Sequence, residues 1–162
     1  MSRIKAGLLK RLNEAWLALL SSYEGLSEPE MLESGVMGAW SIKDVIGHVT
    51  TWEEESLQHL PTVLAGRRPP HYSMAYGGLD AFNALKVEEN RRLSLTEVLH
   101  QRDLIHQKLI QYLQSVPEDQ LVSEMRFRRR LRLDTYGHYR LHAEAILGWR
   151  KRARMQNHCR KM

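Results

Sequence analysis

Cysteine is almost absent from the 162 residues: Cys159 stands alone and has no partner for an internal disulfide, as expected of a cytoplasmic protein. No apolar run approaches the roughly 20 residues that span a bilayer, so no membrane contact is expected. The opening MSRIKAGLLKRLNEAW lacks the unbroken apolar core and small-residue cleavage site of a secretory signal, and none is expected. Proline (5) and glycine (10) are sparse and gather between periodic segments, which favours helices over a strand-rich fold. Internal repeats and low-complexity segments are missing as well.

What is present reads as one globular domain, 1–162, long enough to bury a substantial core. Hydrophobic content of 43% beside 27% charge is ordinary for a soluble chain. The net charge of +5 is uneven: residues 123–162 carry twelve Lys and Arg against three Asp and Glu, a net +9, leaving −4 for residues 1–122. Such asymmetry suits an acidic ligand, nucleic acid or a solvated terminal face.

Periodicity predicts an amphipathic first helix on Leu8, Leu9, Leu12, Trp16, Leu19, Leu20 and Tyr23, stopped near Gly25. A loop through Gly35 and Gly38 follows. In Trp40-Ser41-Ile42-Lys43-Asp44-Val45, Ser41 caps the second helix, Asp44 reaches back to it, and Trp40 is spaced to staple onto Val45. Its stripe runs Val45, His48, Val49, Trp52; Pro61 is expected to kink or end it, and Gly66 to Pro70 to break it. Residues 66–78 read as a polar connection, helical character returns near residue 79, and an interruption near Ser94 precedes a strong helix on Leu95 to Leu113. Residues 116–133, including RFRRRLR, read as a second connection. Asp134 or Thr135 caps a final helix to about residue 154, and 155–162 form a basic tail. Four long amphipathic helices indicate an all-α four-helix bundle. The long connection between helices 2 and 3 leaves room for a crossover, so the topology is not fixed by pattern.

His138 and His142, four apart in DTYGHYRLHAEAILGWR, point the same way on the last helix. His48 lies on an inward stripe of another, and three imidazoles with a position left to water or substrate suit a catalytic metal site. The alternative is three hydrogen-bonded core histidines. The remaining histidines, at 59, 71, 100, 106 and 158, share no face and are expected to be exposed.

WSIKDVIGHVTTWE and DTYGHYRLHAEAILGWR resemble the second- and last-helix signatures of the DinB/YfiT-like superfamily, and GLDAFNALKVEENRRLSLTEVL looks closest to its DfsB/ClbS branch. The resemblance runs from the first helix to about residue 154, with all three histidines at the positions of the family's metal triad. It implies an up-down-down-up bundle, a divalent ion on His48, His138 and His142, and often a homodimer. Relatives include thiol-dependent transferases and isomerases, and one branch hydrolyses a reactive genotoxin; many have no assigned reaction.

The pair reads His138-Tyr139-Arg140-Leu141-His142, without the glutamate of an HExxH protease. Helical spacing from His48 brings Asp44, Thr51, Trp52 and Glu55 to one side, and Trp149 lies two turns past His142. These are pocket candidates, although Asp44 has a capping role, the tryptophans suit a core and Glu53-Glu54-Glu55 suits a solvated face. Arg126, Arg128, Arg129, Arg130 and Arg132 crowd seven residues, but no nucleic-acid module or stacking platform accompanies them. A solvated face is favoured over nucleic acid, and Cys159 has little to lower its pKa.

The reading is therefore a metal-dependent enzyme acting on a small electrophilic or toxic molecule. The ion would be zinc or nickel, with iron also suited to imidazole. It would serve a hydrolase by activating water, or a thiol S-transferase by stabilising the thiolate of a low-molecular-weight cosubstrate. The alternatives are a non-catalytic metal- or ligand-binding stress protein and, further off, a nucleic-acid-associated one.

Overall fold

A computed structural model describes the backbone of residues 3–159 and the side chains of residues 3–156. Its elements are helical, and no strand occurs among the described residues; the nearest approach is an isolated bridge between Met37 and Trp40. Four helices reach twenty residues or more: α1 (Arg3–Ser22), α3 (Ile42–Leu64), α6 (Leu95–Ser115) and α9 (Tyr136–Cys159). Between them lie α2 (Glu28–Leu32), α4 (Tyr72–Tyr76), α5 (Leu79–Arg91), α7 (Glu118–Ser123) and α8 (Met125–Asp134). Among the described residues no helix is long and apolar enough to cross a membrane.

Helix α1 lies along α9, and α3 lies along α6. The apolar stripe of α1 (Leu12, Ala15, Trp16, Leu19) and the inward residues of α9 (Tyr139, Ala143, Ile146, Trp149) meet in one core with α3 and α6. Helix α3 is the centre: it also packs against α2, α5, α8 and α9, and from Ile42 to Thr51 every residue but Lys43 is buried. A helix enclosed on most sides must satisfy its polar groups internally. Thr50 and Thr51 do so by donating to the Ile46 and Gly47 carbonyls.

The expected start of α3 holds. Ser41 accepts from the Asp44 amide, and the Asp44 carboxylate accepts from the Ser41 amide. Ser94 and Glu97 make the same reciprocal cap at the start of α6.

Several expectations are corrected. Pro61 does not end α3, because Leu60 and Val63 continue the buried face to Leu64; the chain turns only at Gly66, at φ +73°. The stretch 24–40 contains α2, signalled by a Ser27–Glu30 capping box. Residues 116–133 are not an open connection but α7 and α8: Leu121, Phe127 and Leu131 are fully buried, and the Phe127–Leu131 spacing of four makes RFRRRLR one amphipathic face. The last helix continues past residue 154 to Cys159; residues 160–162 and the side chains of His158 and Cys159 lie outside the described residues.

Candidate metal centre

His48 stands at the end of the second turn of α3, and His138 and His142 stand on the first two turns of α9. The α8–α9 junction sets the register of that pair. Thr135 leaves helical conformation at φ −127°, ψ −103°, and its hydroxyl donates back to the Leu131 carbonyl. Thus neither Asp134 nor Thr135 caps α9 with its side chain as expected. A Cβ on Gly137 would lie 2.8 Å from the Arg132 carbonyl oxygen, so glycine is what lets the two helices close.

The three rings converge through their Nε2 atoms: His48 to His138 is 3.0 Å and His138 to His142 is 2.8 Å. One ligand atom from each residue lies within 4.8 Å of the others, and no other group of three potential ligands gathers among the described residues. Nitrogens about 2.0–2.1 Å from a shared zinc ion stand about 3 Å apart, close to the spacing found.

Burial lowers the pKa of His48 to about 3, His138 to about 4 and His142 to about 2. Repulsion from neighbouring imidazoles deepens the shift at His48 and His142, while the Asp134 carbonyl opposes it at His138. All three are neutral at pH 7, the form that ligates metal. The cluster satisfies itself poorly: Nδ1 of His48 has no hydrogen-bond partner, and Nδ1 of His142 meets only the Met37 sulfur at 3.1 Å. Three lone-pair-bearing nitrogens turned inward in a buried setting are costly unless something accepts those lone pairs. A divalent cation fits that role, and the all-imidazole donor set suits zinc, nickel or iron.

His48 and His138 form part of the wall of a cavity of about 710 Å³, while His142 lies behind them. Trp52 also lines it, held by its indole N–H donating to Asn83 Oδ1 at 3.1 Å. Tyr72, Arg130 and Asp134 also line the cavity, as part of a polar chain that spacing alone does not reveal. Tyr72 donates to Glu55; Arg130 donates to the Tyr72 oxygen at 2.9 Å and to Asp134 at 2.8 Å; Ser56 donates to Asp134 at 3.1 Å. Arg130 and Asp134 are four apart on α8, a legible pair; Tyr72 arrives from the 66–78 segment, which only the fold brings here.

The other candidates disperse. Asp44 is committed to its cap and to two hydrogen bonds from Arg91. Thr51 bonds to Gly47 and accepts from Asn90 at 3.3 Å. Glu55 holds Tyr72 and His59, and Trp149 is buried in the core. Glu53, expected on a solvated face, exposes no surface and binds His106 and Tyr139. His106 is therefore not an exposed histidine, and His59 is half-buried against Glu55.

A helical chain whose central and last helices bring three neutral imidazoles together beside one cavity defines a class of potential metal-binding proteins. Residues 11–149 match the DinB superfamily, and the chain belongs to that superfamily. No curated protein and no solved structure matches it.

Proposed function

We propose that His48, His138 and His142 hold one divalent ion and that the protein is a metal-dependent enzyme acting on a small electrophilic or toxic molecule in the adjoining cavity. The observation that carries this reading is the convergence of three neutral Nε2 atoms, two of them from His48 and His138 in the wall of a cavity of about 710 Å³, a volume typical of small-molecule sites. Zinc or nickel, with iron as the further choice, suits the donor set. The ion supplies Lewis acidity, lowering the pKa of water in a hydrolase or of a cosubstrate thiol in an S-transferase.

The protein's own residues bind and orient. Trp52, fixed by Asn83, and Tyr72, fixed by Arg130 and Glu55, offer rigid aromatic walls to an apolar substrate body. Asp134 is pinned by Arg130 and Ser56, which holds the turn beneath His138. We further propose that the four long helices form an up-down-down-up bundle of the DfsB/ClbS branch, working as a cytoplasmic homodimer. Helix pairing and the single cysteine support the bundle and the compartment; the branch and the dimer rest on the resemblance.

Elemental analysis of untagged protein, followed by a panel of electrophiles with and without a low-molecular-weight thiol, tests the reading. Turnover that vanishes on chelation and returns with Zn²⁺ or Ni²⁺ is expected. Stoichiometric metal without turnover would instead leave a non-catalytic metal-binding protein.

A further inference from the structure

Arg3, Arg11, Arg128, Arg129 and Arg132 line one groove of about 700 Å³ between the start of α1 and the α8–α9 junction. No Asp or Glu lines it, and among the described residues no carboxylate pairs with any of the five. Helix α8 sorts its arginines: Arg126 and Arg130 are paired with Glu124 and Asp134, whereas Arg128, Arg129 and Arg132 line the groove, Arg129 standing between it and the histidine cavity. Nε of Arg128 is buried without a hydrogen-bond partner. Leu8, Leu133 and Tyr136 supply an apolar side to the same groove.

Gathering five unpaired cations in one concavity costs self-repulsion, and the field focused there favours a multiply charged anion. Guanidinium forks match phosphate oxygens in geometry as well as charge. We propose that this groove is a binding site for a compact phosphate-rich anion, a nucleoside diphosphate or triphosphate, whose uncharged part rests on Leu8, Leu133 and Tyr136. Its volume lies within the range of small-ligand sites. A single-stranded nucleic acid is held by successive stacking aromatics, and among the described residues Tyr136 is the one aromatic lining the groove. The groove shares Arg129 and Leu133 with the rim of the histidine cavity, but none of the three clustered histidines lines it, so binding there does not depend on a metal at the cluster.

The probe is ATP, titrated by calorimetry into the full-length protein as purified. One ATP per chain is expected, with affinity falling at least tenfold in Arg11→Gln/Arg132→Gln, which removes one exposed cation from each wall. The matched control Arg67→Gln/Arg92→Gln removes the same charge outside the groove and should change affinity less than twofold. His142→Ala should retain ATP binding, because the cluster is not the receptor. Should the first double variant not fold, Arg3→Gln/Arg129→Gln carries the same expectation. No binding at millimolar ATP, or equal weakening in both charge-matched variants, would overturn the proposal. So would binding lost in His142→Ala but kept in Arg11→Gln/Arg132→Gln. A single-stranded oligonucleotide that binds more tightly than ATP and displaces it would overturn it in favour of a nucleic-acid surface.

Discussion

The Tyr139 hydroxyl donates to Glu53 Oε1 at a point where neither residue exposes any surface. His106 Nδ1 lies 2.7 Å from the same oxygen, and the His106 ring stacks on Trp16 with centroids 3.7 Å apart. Glu53, His106, Tyr139 and Trp16 come from α3, α6, α9 and α1, so one buried polar cluster joins the four long helices. Burial raises the Glu53 pKa, opposed by its hydrogen bonds to His106 and Tyr139.

Tyr139→Phe removes one donor and leaves Glu53 to His106 alone, so a loss of about 1–2 kcal/mol in urea unfolding is expected. Glu53→Ala orphans both the tyrosine hydroxyl and the imidazole and should cost more. Equal losses would mean that His106 contributes nothing to the cluster.

Alanine at His48, His138 or His142 should each reduce bound metal well below one ion per chain by elemental analysis, because two imidazoles seldom hold a divalent ion tightly. His59→Ala and His106→Ala, outside the cluster, should keep the metal. Retention of metal in His48→Ala alone would show that the α9 pair uses a different third ligand.

The metal-free protein should weaken as the solution is acidified. Each triad histidine has a folded pKa below its ordinary 6.5, so below pH 6.5 the unfolded state binds more protons. Their contribution is therefore complete above that pH and declines as pH falls toward about 4, where His138 titrates. Each group contributes a slope of at most about 1.4 kcal/mol per pH unit. Glu53 and Asp134, both raised by burial, act in the opposite sense. The histidine share is thus read as the difference between wild type and His138→Ala between pH 7 and 4.5. Parallel curves would contradict it.

Gly137→Ala should destabilise, against the helix propensity gain of about 1 kcal/mol that alanine normally brings. The added methyl meets a backbone oxygen at 2.8 Å, which cannot rotate away, and overpacking of this kind costs about 1–3 kcal/mol. Because Gly137 precedes His138, metal affinity should fall too. A variant as stable as wild type and with full metal content would show that the α8–α9 junction yields freely.

Local chemistry was enough to read α1, the capped start of α3, the break near Ser94 before α6, and the pairing of His138 with His142, because each depends on residues within one or two turns. Placing His48 beside that pair required either the resemblance or the fold. Glu53 could not be read correctly from its run of three glutamates: whether a helix face is wet depends on what covers it, and His106 and Tyr139 arrive from positions 53 and 86 residues away. Tyr72 and Asn83 reach the cavity for the same reason, through chain reversals that leave no periodic trace. In α8 the arginines masked two apolar anchors, Phe127 and Leu131, whose burial became visible only once α3 and α9 stood against them. The sequence by itself determined the four long helices and supplied three histidines able to hold an ion. Tertiary packing alone decided which polar groups would be enclosed, since that depends on distances through space rather than along the chain.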